Sequence, residues 1–271
     1  MTRLGRIALG LMVALTAAYL MLPSLVVIPM SLTSGRSLSF PPDGLSLRWY
    51  QELLDDPSWL QAFFNSVKVA LLTAVCATVL GTAAALGLHR SRLRGTAAVA
   101  LLVRAPLAVP YVVLGIALYA VFLRWGLTST LLGFVLAHTV LAIPYVVMSV
   151  LPLLGSLDEG IEKAAATLGA TPATVFRSVT LPALVPGMIT GAFFSFIISF
   201  DEVVVAIFLG GVGFETLPLR MWSGVRVSIE PTIAAVATVL VLTSTLVLLA
   251  GYTGRALSKQ IVERRSRKVT A

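Results

Sequence analysis

Two adjacent acids, Asp201 and Glu202, stand in an otherwise apolar run, Ile198-Ser-Phe-Asp-Glu-Val-Val-Val205. A carboxylate in a hydrocarbon-embedded helix is costly, so the pair must meet water, a partner charge or a passing cation. Neighbouring residues on a helix point about 100° apart. One acid can therefore face a water-filled path while the other pairs with Arg220, Arg226 or a helix end. The sequence leaves open which acid does which, and whether both pair inside the protein. On a path, carboxylates would replace part of the hydration of a cation and lower its electrostatic barrier. Ser195, Ser199 and Phe200 would extend such a route, and Tyr111, Tyr119, Tyr145 and Trp222 could add cation–π contacts if they do not serve as ordinary packing or interfacial aromatics.

Other chemistries lack their residues. The chain has no Gly-x-x-x-x-Gly-Lys-[Ser/Thr] loop, and Gly210-Gly211-Val-Gly213 lacks the lysine and reads as a turn. No His/Asp/Glu set has metal-ligand spacing, and no nucleophile–base pair stands out. The single Cys76 rules out an intrachain disulfide. His138 reads as a packed polar residue rather than a proton relay. Any energy-yielding hydrolysis would belong to another subunit.

The second group of interest is polar and lies at 155–183. Ser156 followed by Glu159 has the capping-box pattern. Asp158, Glu159 and Glu162 suit the positive first turn of a helix. Leu157, Ile161, Ala164, Ala165 and Leu168 recur at helical spacing, and Gly169 fits the position just past a helix end. A second helix starts at once, with Thr171 as cap and Pro172 in the first position. Val175, Phe176 and Val179 form its apolar face, and Leu181-Pro182 ends it. Two short helices around a glycine hinge, with small alanines and Phe176 as a knob, make a docking surface for another protein.

The elements that must position these groups are membrane spans. The chain has 271 residues, 58% hydrophobic and 12% charged, with mean hydropathy +0.95; soluble domains carry about 25% charged residues. Apolar segments fall near 7–31, 64–88, 97–123, 128–152, 184–210 and 232–254. Each approaches or exceeds the roughly 20 residues that cross a bilayer as helix. The β-barrel pattern of alternating segments is missing. Residues 1–31 are long for a signal peptide and read as an uncleaved first span. Pro106, Pro110, Pro144 and Pro152 interrupt spans 3 and 4, which suits helices lining an interior. Arg104 inside span 3 and Lys68 inside span 2 read as snorkelling residues. Leu47–Leu54, with Trp49 and Tyr50, reads as a short amphipathic helix at the interface.

Basic residues assign the sides. Arg3, Arg6, Arg90, Arg92, Arg94, Lys163, Arg177, Arg255, Lys259, Arg264, Arg265, Arg267 and Lys268 fall on one side, against Arg36, Arg48, Arg124, Arg220 and Arg226 on the other. The positive-inside rule makes both termini, and the 155–183 segment, cytoplasmic. The formal net charge of +8 follows from this distribution and signals anionic lipid rather than nucleic acid.

Lys163-Ala164-Ala165, then Gly169, Val179 and Leu181-Pro182, resembles the signature loop of importer-type ATP-binding-cassette permeases: Glu-Ala-Ala, three residues, Gly, nine residues, Ile, one residue, Leu-Pro. One departure is Lys163 at the usual glutamate position, with Glu162 just before it; this puts the salt bridge of that glutamate in doubt. The resemblance covers nearly the whole chain. Ile198-Ser-Phe-Asp-Glu-Val-Val-Val205, Glu215-Thr-Leu-Pro-Leu-Arg220, and Pro231 with Ala234-Ala235 are similar to the permeases that import spermidine and putrescine. The resemblance implies an all-α fold of six spans in one domain, 1–271, in the bacterial inner membrane. A coupling helix would lie between spans 4 and 5 (Glu162, Lys163, Ala164, Ala165, Gly169, Thr171, Pro172, Phe176, Leu181, Pro182). It implies as partners a second permease, in that subgroup a different chain, a dimer of ATPases that carries the ATP and Mg, and an extracytoplasmic binding protein, with no cofactor in this chain. Asp201, Glu202, Ser199, Phe200, Tyr145 and Trp222 would then line the path of a polyamine or related organic cation. Other readings are the same machine importing an amino acid, opine or phosphonate, a stand-alone secondary transporter using Asp201 and Glu202, and an intramembrane enzyme or scaffold. The two-helix loop opposes the stand-alone transporter.

Overall fold

The computed structural model describes residues 3–91, 94–211, 213–227, 230–246 and 249. The basic tail from Arg255 to Lys268, and Arg92, lie outside the described residues. The described regular structure is helical: α1 (Arg3–Met30), α2 (Arg48–Asp55), α3 (Pro57–Arg90), α4 (Thr96–Ala108), α5 (Tyr111–Trp125), α6 (Leu131–Ser156), α7 (Glu159–Thr167), α8 (Pro172–Val175), a π turn (Phe176–Thr180), α9 (Leu181–Asp201), α10 (Val204–Leu209), α11 (Leu217–Val227) and α12 (Pro231–Leu246). Four of these helical stretches are long and apolar enough to cross a membrane, five when α4 and α5 count as one broken span, and α12 is a shorter apolar helix.

Two compact units divide the chain: Met1–Pro57 with Ser223–Ala271, and Ser58–Trp222. In the first, α1 is an apolar helix whose candidate span buries nothing. After it the chain turns back on itself, and Trp49 is buried with its indole N–H donating to the Thr33 carbonyl at 2.8 Å. Ser31 and Tyr50 share a hydroxyl hydrogen bond of 2.6 Å. The expected interfacial helix therefore exists as α2, but Trp49 clamps the preceding turn instead of lying exposed, because its ring N–H reaches a backbone carbonyl in need of a donor.

In the second unit α6 is the axis. Val69, Phe134, Leu141, Val205 and Leu209 belong to one buried cluster, and Ala77, Ala142, Val146, Val150 and Leu184 to another nearer the 155–183 loop. Antiparallel α9 lies close against α6. A Cβ on Gly191 would stand 2.9 Å from Val146 Cα, and one on Gly187 2.7 Å from the Ser149 carbonyl oxygen. Small residues at a helix contact let two backbones approach and gain packing where no hydrophobic driving force exists.

Two of the six expected spans are broken. α4 and α5 meet at 107° rather than forming a continuous 97–123 helix. Pro110 removes an N–H and forces Val109 into extended backbone (φ −87°, ψ 130°). The expected 184–210 span ends at Asp201; Glu202 is extended and the short α10 follows.

Candidate functional site

The 155–183 segment folds as two short helices around a glycine turn. α6 runs on through Ser156, whose hydroxyl donates to the Leu153 carbonyl. The expected Ser156 cap is therefore replaced by Asp158, which accepts from the Gly160 N–H at 2.8 Å. Gly169 has φ +86°. Its N–H donates to the Ala166 carbonyl and the Ala170 N–H to that of Ala165, the paired bonds of a Schellman termination. Thr171 then caps α8 by accepting from the Thr174 N–H, with Pro172 in the first turn.

This turn determines which side chains face out. Leu168, at the end of α7, is 89% exposed, and Ile161 is exposed two turns before it. Phe176, expected as the projecting knob, is instead half-buried and lines a groove of about 610 Å³ together with His89, Arg90, Glu162, Lys163 and Pro172. Continuing helix and π turn carry its ring inward. Leu181 and Pro182 open α9 and join the docking segment directly to it.

Glu162 anchors the segment. Arg90, at the end of α3, donates to its Oε1 at 2.7 Å, and the buried Thr180 hydroxyl bonds the same oxygen. Within this chain the segment's ion pair is thus made by Glu162, the residue before Lys163. Arg90 is half-exposed, so solvent screens the pair. Together with the Thr180 bond we expect about 1 kcal/mol, about fivefold in population. Glu162→Ala should lower transport by about that factor with the ATPase still co-purifying, and adding Arg90→Ala should cost little more. Transport assays of the two single and the double variants check this; independent, multiplying effects would contradict a shared anchor.

At the opposite end of α9 the two acids separate. Asp201 is exposed. It extends an exposed stripe at helical spacing: Val185, Ile189, Phe193, Ile197. Glu202 is only 5% exposed, and its carboxylate accepts from the Val205 N–H at 2.8 Å. It satisfies a free donor at the start of α10, which explains a buried acid at the break. Arg220, considered as its partner, bridges Glu215 at 3.4 Å and lies over the Trp59 ring. Tyr111, opening α5 beyond the Pro110 break, packs against the buried cluster that holds Val205 of α10, and Tyr145 lies half-buried on α6. Both helix breaks thus border one buried cluster, through Tyr111 after the first and Val205 after the second, and broken helices are tolerated where protein or water lines an interior.

Other expected lining residues sit elsewhere. Ser199 is buried and shares a 2.8 Å hydrogen bond with His138 Nδ1. Phe200 stacks on Phe196 and meets Phe63 edge-on, packing α9 against α3. Trp222 is exposed on α11. Arg104 and Lys68 are exposed. The His138–Ser199 bond and the Glu162–Arg90 anchor join residues far apart in sequence, so local spacing carried only hints of them, whereas the Glu202 cap is local, reaching the N–H three residues on. Among the described residues no group is placed to hold a metal ion.

Continuous and broken apolar helices, with a polar two-helix segment between α6 and α9, make this an all-helical membrane protein. Residues 77–259 match the family of binding-protein-dependent transport system inner membrane components, and the chain belongs to it. The spermidine/putrescine transport system permease protein PotC of Haemophilus influenzae is 34% identical over 84% of this chain and 88% of that protein. The putrescine transport system permease protein PotI of Escherichia coli K12 is 34% identical over 82% of this chain and 81% of its own length. The fold matches a chain of a bacterial ABC transporter involved in importing the acidic polysaccharide alginate, with TM-score 0.70 and 16% identity over 93% of this chain and 98% of that one. The protein is therefore the multi-pass inner-membrane permease subunit of an ABC importer, and its family members carry no cofactor.

Proposed function

We propose that the chain is one half of the membrane channel of an ATP-driven polyamine importer, one domain of six spans with both termini cytoplasmic. It pairs with a second, different permease, docks through residues 155–183 onto a dimer of ATPases holding ATP and Mg, and receives cargo from an extracytoplasmic binding protein. Glu162, Lys163, Ala164, Ala165, Gly169, Thr171, Pro172, Phe176, Leu181 and Pro182 form the coupling segment. ATP binding closes the ATPases, the docked loop moves with them, and the cavity turns from outward- to inward-facing.

One observation carries the cargo assignment: Asp201 is exposed at the end of an aromatic-bearing stripe, one residue from the Glu202 break. A carboxylate there attracts a cationic amine, and Phe193, about two turns back along the stripe, offers an exposed aromatic face. The names of the relatives support the same class. Tyr145 and Trp222 serve the same path in this reading, and Ser199 and Phe200 support it through their contacts with His138, Phe196 and Phe63.

The test is ATP-dependent uptake of labelled spermidine and putrescine by proteoliposomes holding this chain with its partners. Saturable uptake of either amine, suppressed by the other in excess, is expected. ATP hydrolysis stimulated by a binding protein loaded with an amino acid or phosphonate, with neither amine taken up, would overturn the polyamine reading and leave the permease reading in place.

A further inference from the structure

His138 is 1% exposed at the centre of the second unit. Its Nδ1 is bonded to Ser199 Oγ, and its Nε2 has no hydrogen-bond partner among the described residues. Thr73, fully buried on α3, has an unpartnered hydroxyl as well. The packing puts these groups at one level. Val69 and Phe134 share the first buried cluster, and Ala77 and Ala142 the second. Thr73 lies one turn from each of Val69 and Ala77, as His138 lies one turn from each of Phe134 and Ala142. On α9, Gly191 packs on Val146, and Ser199, two turns further along, reaches His138, two turns before Val146. Ser199 and Glu202 are one turn apart, and both are buried.

Buried polar atoms without partners are rare in native proteins, and a small polar guest usually supplies the missing bond. We propose that Thr73, His138 and Ser199 form a polar coupling layer across α3, α6 and α9, completed by one internal water between His138 Nε2 and Thr73 Oγ1. His138 acts in it as a positioning residue. Displacement of the α6–α9 hairpin at the docking loop passes through the His138–Ser199 bond to the Glu202 cap and the α9–α10 break, keeping cavity movement in step with ATP hydrolysis. The inference rests on the docking reading of 155–183.

The experiment measures uptake per ATP hydrolysed in the reconstituted complex, with ATPase association scored by co-purification. Partners in one network couple strongly enough that His138→Leu should lower the ratio about tenfold and Thr73→Val about threefold, with ATP hydrolysis persisting. Thr73→Val should cost nothing further on the His138→Leu background. His138→Asn retains a polar atom at the Nδ1 position and hence the Ser199 bond but not the link to Thr73, so it should lower the ratio about as far as Thr73→Val, and Thr73→Val should add nothing there. Thr73→Val is nearly isosteric, so it remains informative where His138→Leu fails to assemble. An unchanged ratio in Thr73→Val, or effects that multiply on every background, overturns the layer while an ATPase that still co-purifies leaves the docking reading intact. Loss of the ATPase from Gly169→Pro but not from the layer variants separates the two readings in the other direction.

Discussion

Gly169→Pro is expected to abolish transport and release the ATPase, while the permease still inserts into the membrane. The reason is local geometry. Gly169 has φ +86°, and its N–H closes α7 on the Ala166 carbonyl. Proline holds φ near −65° and has no N–H, so the turn must rearrange at a cost of about 3 kcal/mol or more. At about 1.4 kcal/mol per decade, that removes about 99% of the docking geometry. No side chain meets a Cβ at this position, so the damage is confined to the turn that sets α7 against α8 and exposes Leu168. The measurement is co-purification of the ATPase with the tagged permease, alongside uptake. Normal values of both would show that the segment does not dock.

Asp201→Asn is expected to lower uptake of a cationic substrate by about fivefold to thirtyfold while the ATPase stays bound. Two unit charges about 4 Å apart attract by between about 1 kcal/mol in water and about 4 kcal/mol near a protein surface, and an exposed carboxylate falls in the lower part of that range. Glu202→Gln has a different cause, since that carboxylate accepts from the Val205 N–H. It should weaken the start of α10 and impair uptake of every substrate alike. Uptake of several amines of different charge by the two variants separates these outcomes. A loss that does not grow with substrate charge in Asp201→Asn would place that acid in a structural role.

The docking loop was largely legible because its signals are local. Thr171, Pro172 and Gly169 act through the backbone within a few residues, and all three occupy the positions their chemistry requires. The expected capping box failed because α6 continued through Ser156 and left Asp158 as the first free cap. Hydropathy located the apolar segments but not their breaks. Pro110 signalled one break, whereas the break at Glu202 has no proline or glycine beside it and depends on a buried carboxylate satisfying the Val205 N–H. The separation of Asp201 from Glu202 depends on that break, so equal helical spacing could not resolve it. The half-burial of Phe176 and the partner of Ser199 were not legible for a related reason: an apolar or polar residue at the correct spacing does not reveal what lies opposite, and His138 is distant in sequence from Ser199.

The central claim is that residues 155–183 carry the contact with the ATPase, and cross-linking tests it most directly. Cysteine is placed at Leu168, 89% exposed, or at Leu45, 78% exposed, in a chain whose half-buried Cys76 is replaced by serine. A short thiol cross-linker should join Leu168→Cys to the ATPase subunit, with a yield that changes when ATP is added, and should leave Leu45→Cys unlinked to it. Capture of the ATPase by Leu45→Cys and not by Leu168→Cys would contradict both the docking assignment and the orientation of the chain.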